Sequence, residues 1–293
     1  NAARAMAAND APQHWSDSVT TYSYMPVQLV SAGKNAGLLE IAADLAGRFD
    51  ARVIGIAACQ PVQMLYDEGY TCGDEMVADR AEIAREIEAA KAEFHQVLKG
   101  RVKKIEWRSC ITFEALAYYI ADQARAPALI ITRPDIGDSL LDNTRRVKLG
   151  DLALQAGRPL LIVPHGMSSL TLNNAFVAWK DSREARRAVA DALPLLGLAK
   201  NVTVLEAANN EAQSIAHSHV VDVAHWLESH DVTAEPVTAS LHGADATNLY
   251  DETVERGCDF LVAGAYGHSR VGEFVFGGVT RDLLLSAEYC VLI

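Results

Sequence analysis

An internal repeat of alternating strands and helices constrains this chain more than any other feature of its sequence. Short apolar runs rich in β-branched residues, typical of buried strands, alternate with longer segments whose apolar residues recur at helical spacing. Residues 128–132 share an apolar pattern with residues 259–263, which lie 131 positions later. Residues 151–154 match residues 282–285 at the same distance. The sequence therefore predicts a duplicated unit.

Each half contains five predicted strands separated by predicted helices. In the first half, strands are predicted at residues 27–32, 52–58, 104–108, 128–132 and 160–164, and helices at 38–49, 74–98, 113–125 and 148–156. In the second half, strands are predicted at residues 176–179, 202–206, 232–239, 259–264 and 290–293, and helices at 183–196, 211–229, 246–257 and 280–286. Alternating βαβ units with apolar strands are typical of a parallel, doubly wound sheet. We expect an α/β fold with one such sheet, flanked by helices, in each half.

The length of the chain and a turn-rich segment in its middle predict two tandem domains. A chain of 293 residues is near the size at which single cores stop growing and chains divide. Pro164, Gly166 and the polar residues after them are of the kind found at domain boundaries. We place the first domain at residues 23–168 and the second at residues 169–293. Residues 1–22 are set apart as a tail.

The composition argues against several classes of function. The net charge of -12 disfavours a nucleic-acid-binding or anionic-membrane surface, because both partners attract Lys and Arg. No apolar run in the sequence approaches the roughly 18 residues that a membrane-spanning helix needs. The five cysteines are never in a CxxC spacing, so neither a disulfide framework nor a zinc site is predicted. We expect a cytoplasmic protein that binds neither nucleic acid nor membrane.

A glycine loop in the second half is the strongest candidate for a binding site. Gly264, Gly267 and Gly277 have the spacing G-x2-G-x9-G, which starts where the fourth predicted strand of that half ends. Glycine can take positive φ and present its N–H groups to phosphate oxygens, and the helix predicted after Gly278 offers its N-terminus to the same anion. Further donors or charges in this region come from His268, Arg270 and Thr280. The loop matches neither the dinucleotide fingerprint nor a Walker loop.

This spacing, followed by Gly278, Val279 and Thr280, resembles the ATP-binding motif of the universal stress proteins. The resemblance covers residues 27–293. It implies a five-stranded parallel sheet of order 3-2-1-4-5 in each half, and a glycine loop that holds the triphosphate and ribose of ATP, with Mg²⁺ as the counterion. It also implies that the two halves pair within the chain as a pseudo-dimer, as universal stress proteins pair between chains. A homodimer of the whole chain stays open.

Three departures from the family's pattern bear on the site. In ATP-binding members an Asp after the first strand addresses adenosine, whereas here Lys180 stands in its place and Asp181 follows it. Gly278 replaces the family's usual Ser, which removes a hydroxyl and keeps the backbone N–H. In the first half, 131 positions earlier, the residues in place of Gly264, Gly267, Gly277 and Gly278 are Arg133, Ile136, Arg146 and Val147. We therefore expect that the first half does not hold a triphosphate in the same way.

The sequence leaves three functions open. The glycine loop favours a regulatory protein that binds an adenine nucleotide and hydrolyses it slowly, if at all. Lys180 and Gly278 favour a stress-response scaffold whose nucleotide sites are vestigial. The third function is an enzyme acting on another small molecule, for which the sequence offers no catalytic base. Trp179, at a predicted strand end, is interpreted as a packing residue, with stacking on a base as the alternative.

Overall fold

The computed structural model describes residues 22–30, 35–61, 73–126, 129–134, 147–240, 252–265 and 288–293. Within these segments strands and helices alternate in the predicted order. The predicted helix at 280–286 lies outside the described residues. Of the helix predicted at 246–257, residues 252–257 are described, and residues 252–255 are helical.

The bounds of the elements agree with the predicted ones to within four residues. The first half contains β1 (Tyr24–Gln28), α1 (Ala36–Phe49), β2 (Arg52–Cys59), α2 (Gly73–Leu98), β3 (Ile105–Ile111), α3 (Leu116–Gln123), β4 (Ile130–Thr132), α4 (Leu149–Ala156) and β5 (Leu160–Ile162). The second half contains β6 (Asn174–Ala178), α5 (Arg183–Leu196), β7 (Asn201–Ala208), α6 (Gln213–Glu228), β8 (Ala234–Ser240), β9 (Phe260–Ala263) and β10 (Cys290–Leu292). None of the described helices is both long and apolar enough to cross a membrane.

All ten of these strands belong to one sheet, in the order β3-β2-β1-β4-β5-β10-β9-β6-β7-β8. Counted from its own first strand, each half follows the order 3-2-1-4-5, and neighbouring strands within a half are parallel. The predicted α/β fold with a mostly parallel sheet flanked by helices is confirmed. The structure adds that the sheets of the two halves join edge to edge.

β5 and β10 make this join as an antiparallel pair, in which Ile162 lies opposite Val291. Leu160 and Ile293 exchange two backbone hydrogen bonds, each 3.0 Å long. The pairing gives partners to backbone groups that would otherwise form two exposed sheet edges. Because the pair is antiparallel, the carboxyl ends of the parallel strands lie at opposite ends of the molecule in the two halves.

Two apolar layers cover the two faces of the sheet. One layer packs α1, α2, α5 and α6 against the strands, and the other packs α3 and α4 against the opposite face. Successive residues of a strand point to opposite faces, so Leu292 of β10 belongs to the first layer and Val291 to the second. Leu161 and Ile162 of β5 divide between the layers in the same way. Both layers therefore continue from one half into the other.

Tyr22 adds a hydrogen bond between the two halves. Although the sequence placed this residue in the tail, its side chain is buried, and its O–H donates to the backbone carbonyl of Asp191 in α5 at 2.5 Å. The ring meets Phe49 edge to face, with centroids 5.3 Å apart. Burial, and to a lesser extent Asp191, raises the pKa of the Tyr22 phenol. Tyr22 is therefore a neutral donor at physiological pH.

Replacing Tyr22 with Phe should lower the free energy of unfolding by about 0.5–1.5 kcal/mol, the usual net contribution of one such hydrogen bond. The ring and its contact with Phe49 remain, so the loss isolates the bond to Asp191. Urea denaturation followed by circular dichroism measures the difference. Tyr24→Phe serves as the control, because Tyr24 is half-buried and the change should cost less than about 0.5 kcal/mol. Equal losses in both variants would contradict this role of Tyr22.

Candidate functional site at the carboxyl ends of β6 and β9

The candidate site lies where two neighbouring strands of the second half end. β6 and β9 are parallel neighbours, with Ala178 opposite Ala263, so the segments that follow them emerge side by side. From β6 the chain leads through α5 to β7 on one side, whereas β9 lies on the other side. This is a topological switch point, the place where open parallel sheets bind ligands. It brings Lys180 and Asp181, after β6, to the same edge as Gly264, after β9.

Gly264 is required by helix packing. A Cβ atom at this position would lie 2.6 Å from the backbone nitrogen of Ala185 and 3.0 Å from its Cα atom. The first turn of α5 thus lies directly against the end of β9. The φ angle of Gly264 is outside the left-handed region, so close approach, and not positive φ, explains the glycine. The sequence predicted that the backbone of the glycine loop approaches a phosphate. At Gly264 the backbone instead approaches the first turn of α5.

The residues after β6 form a local network at the start of α5. Ser182 caps this helix, because its Oγ accepts a hydrogen bond of 3.2 Å from the N–H of Ala185. The carboxylate of Asp181 forms an ion pair with the guanidinium of Arg186, one turn into the helix. Lys180 is exposed and its backbone carbonyl accepts from the N–H of Ser182 at 2.6 Å. Asp181 is therefore engaged by a side chain of the protein itself.

The other predicted site residues lie outside the described part of the chain. These residues are Gly267, His268, Arg270, Gly277, Gly278, Val279 and Thr280. Their assignment to a nucleotide site stays a prediction.

A cavity of about 520 Å³ lies beside the carboxyl end of β6, between α5 and α6. Its lining residues are Trp179, Asp181, Arg186, Val189, His219, Asp222, Val223 and Trp226. Trp179 also packs against the apolar layer beneath α5, as the sequence interpretation favoured. Its indole N–H is buried and has no hydrogen-bond partner among the described residues. Trp179 thus combines packing with lining the cavity.

Glu206 and His219 form a pair beside this cavity that the sequence interpretation missed. Glu206 Oε2 lies 3.1 Å from His219 Nδ1, and the Glu206 side chain is only 14% exposed. Desolvation raises the pKa of Glu206, and the negative charge of nearby Asp181 raises it further. The hydrogen bond with His219 lowers the pKa and offsets part of this increase. The available signal was a single carboxylate in strand β7, whose other residues are uncharged. Its partner, on another element, had no comparable signal.

Comparison with solved structures identifies the architecture. No family model matches the chain, and no curated protein matches it. A universal stress protein from Archaeoglobus fulgidus aligns over 92% of this chain and 94% of its own, with a TM-score of 0.72 at 13% sequence identity. The chain has the universal stress protein fold. A functionally unknown protein from Pseudomonas aeruginosa aligns over 94% of this chain and 92% of its own, with a TM-score of 0.55 at 17% identity.

The universal stress protein fold occurs in both halves, but the first half packs its strand end differently. Arg133 follows β4 at the position where Gly264 follows β9. A Cβ atom on Gly37, in the first turn of α1, would lie 2.4 Å from the Met167 carbonyl oxygen and 3.2 Å from Arg133 Nη2. Burial lowers the pKa of the Arg133 guanidinium, partly offset by the nearby Glu93. The start of α1 is therefore covered by the protein's own groups.

Asn35, immediately before α1, forms hydrogen bonds with Glu93 and Val30. Its backbone N–H donates to Glu93 Oε1 at 2.8 Å, and its side-chain amide donates to Glu93 Oε2 at 3.0 Å. The Asn35 side chain also exchanges hydrogen bonds with the backbone of Val30. Asn35 is 1% exposed. These contacts add to the protein's own groups at the start of α1. The expectation that the first half does not hold a triphosphate stays a prediction.

Replacing Gly264 with Ala should lower the free energy of unfolding by about 1–3 kcal/mol, because the new methyl group would overlap the backbone of Ala185. Gly47→Ala is the matched control, since a Cβ atom at Gly47 in α1 meets nothing within 4 Å. That variant should gain up to about 1 kcal/mol from the higher helix propensity of Ala. Chemical denaturation compares the two. Unchanged stability in Gly264→Ala would contradict the close approach of β9 and α5.

The raised pKa of Glu206 predicts a pH-dependent loss of stability. Above its ordinary value of 4.5, the unfolded chain ionises this carboxyl more readily than the folded chain does. The free energy of unfolding therefore falls as pH rises through the raised pKa. Glu206→Gln cannot ionise, so its stability relative to the parent should increase over the same interval. Chemical denaturation of both proteins, at pH values on the order of one unit apart between pH 4 and pH 7, tests this expectation.

The control for this measurement is Glu211→Gln, which removes an exposed carboxylate near the start of α6. Because this variant keeps Glu206 and its partner His219, it should show the parent's loss of stability over that pH interval. A Glu206→Gln profile parallel to that of the parent would show that Glu206 ionises equally easily in both states.

Proposed function

We propose that the second half binds an adenine nucleotide, ATP first, with Mg²⁺ as the counterion of its phosphates. The protein would act as a regulatory protein of the universal stress type whose ATP hydrolysis is slow or absent. The observation that supports this most is the meeting of the β6 and β9 ends at the switch point of the second half. The G-x2-G-x9-G spacing begins at that point, with Gly264.

The described residues favour recognition of phosphate over recognition of ribose. Lys180 stands exposed at the strand end and adds a positive charge where the family has an acid. Asp181, the acid that follows Lys180, is paired with Arg186. A ribose hydroxyl would have to share or replace that ion pair, whereas a phosphate would be attracted by Lys180. We therefore propose that affinity decreases from ATP to ADP to AMP.

We also propose that the two halves act as domains of an intrachain pseudo-dimer, divided between residues 168 and 169. The antiparallel pairing of β5 with β10 and the continuous apolar layers support this. The pairing occupies one edge of each five-stranded unit. A homodimer of the whole chain would have to use other surfaces.

A scaffold with vestigial nucleotide sites is the second candidate function. It is favoured by the ion pair of Asp181 with Arg186 and by the first half, where Arg133 and Met167 lie against the start of α1. In that case neither half would respond to nucleotide. The protein's role would then rest on its surfaces.

Thermal unfolding with ATP, ADP and AMP, each with and without Mg²⁺, separates the two candidates. ATP at ten times its dissociation constant should stabilise the fold by about 1.4 kcal/mol, or roughly 2–4 °C in the melting temperature. Gly277→Glu should abolish this increase, because its side chain would place bulk and negative charge in the glycine loop. The increase should be smaller for ADP and smallest for AMP.

Gly47→Glu is the control for added charge, since Gly47 is exposed in the first half with open space around it. It should keep the full nucleotide response, whatever its own melting temperature. No response of the parent protein to millimolar ATP would exclude the proposed function and leave the scaffold. An equal response in Gly277→Glu would place the nucleotide elsewhere.

A further inference from the structure

The space between α5 and α6 distinguishes the second half from the first. In the first half the corresponding helices, α1 and α2, pack directly against each other. Between α5 and α6 lies the cavity of about 520 Å³. This volume is within the range of roughly 300–1,000 Å³ that is typical of small-molecule sites. Most of the cavity's lining side chains belong to α5 and α6, whereas Trp179 and Asp181 lie in the segment between β6 and α5.

Each helix presents one face to this cavity. Along α6 the lining residues follow at intervals of three, four and seven positions, which places them on one side of the helix. They are His219, Asp222, Val223 and Trp226. From α5, Arg186 and Val189 face them. The walls therefore combine apolar side chains, an indole ring and charged groups.

Among the described residues that line the cavity, the charged groups are paired, with one exception. Arg186 forms an ion pair with Asp181, and His219 is bonded to Glu206. Asp222 is exposed and has no ion-pair partner in the segments that the structure describes. The cavity thus carries one carboxylate whose charge is not balanced by any described residue, in addition to its two pairs.

The indole of Trp226 lies one helical turn after Asp222. Trp226 is 38% exposed, although tryptophan is highly buried on average. His230 lies against it, with ring centroids 4.5 Å apart, and His230 Nδ1 is 2.9 Å from the Trp226 carbonyl oxygen. The neighbouring Val223 is buried. A carboxylate, an accessible aromatic ring and an apolar wall are thus presented together.

We propose that this cavity binds a small primary amine that carries an aromatic ring. The ammonium group would lie between the Asp222 carboxylate and the face of the Trp226 indole, since both attract a cation. The ring of the ligand would lie against Val189 and Val223. A ligand with a negative charge is disfavoured by Asp222, and a neutral ligand forgoes both attractions. Asp181 lies in the lining of this cavity and also at the strand end proposed for nucleotide binding, so the two sites adjoin. None of the residues proposed to contact the amine is a predicted nucleotide-binding residue.

Three probes of the same shape test the role of charge: phenethylamine, 2-phenylethanol and phenylacetate. Isothermal titration calorimetry with the full chain at low ionic strength measures each one. Phenethylamine should bind with a dissociation constant on the order of 0.1–1 mM, as expected for a ligand of this size. The neutral alcohol should bind about tenfold more weakly, and phenylacetate should not bind in this range. Binding of the amine should weaken with added salt.

Two variants of α6 test the location. Asp222→Asn should weaken phenethylamine binding about tenfold, which is the loss expected from one charge-assisted contact. Trp226→Leu, which keeps an apolar side chain, should weaken it at least about threefold by removing the cation–π contact. Glu228→Gln removes an exposed carboxylate at the end of the same helix, outside the cavity lining, and should leave binding unchanged. Circular dichroism establishes that the variants are folded.

The proposal would be overturned by equal binding of amine and alcohol, by tighter binding of phenylacetate, or by the absence of amine binding at about 10 mM. Unchanged binding in Asp222→Asn would also overturn it. The outcome is independent of the nucleotide proposal, because Gly277→Glu should lose its response to ATP and keep its affinity for phenethylamine. If the protein bound the amine but not ATP, the amine site would be supported and the nucleotide proposal would fail.

Discussion

The antiparallel pairing of β5 with β10 is the constraint on which the rest of the structure depends. It converts two five-stranded parallel units into one ten-stranded sheet, and it allows both apolar layers to continue between the halves. The same pairing turns the second half around relative to the first. The carboxyl ends of the two sets of parallel strands, where such sheets place their ligands, therefore lie at opposite ends of the molecule. The two ends can therefore carry different binding residues.

The two halves place different residues at equivalent strand ends. In the second half the glycine is on the strand side, where Gly264 lies against Ala185 of α5. In the first half the glycine is on the helix side, where Gly37 lies against Arg133. Both solutions allow a strand end to approach a helix N-terminus. Only the first half brings a large cationic side chain, Arg133, to that point. The second half keeps the glycine spacing there, and this is why we propose nucleotide binding in the second half. α5 and α6 add a further difference through the cavity between them.

Much of the fold could be predicted from local patterns, because buried parallel strands and amphipathic helices leave distinct periodicities. The strand order was implied by the family resemblance. The join of β5 to β10 could not be predicted, since a run such as Leu160–Ile162 indicates burial but no partner. The glycine at 264 was recognised, but its contact with α5 required the structure. Glu206 and His219, like Asp222 beside the cavity, depend on elements brought together only in three dimensions. The remaining loop residues stay predictions.

The most direct test of this account is native-state hydrogen exchange across the central pair. The amide of Leu160 donates to Ile293 at 3.0 Å, and its exchange should require the same opening free energy as amides inside the parallel pairs of either half, such as those of Ile131 and Val262. Equal values, within about 1 kcal/mol, are expected if the sheet opens as one cooperative unit. Exchange of Leu160 at a much lower free energy, while Ile131 and Val262 stay protected, would show that the halves are separate sheets and would contradict the account.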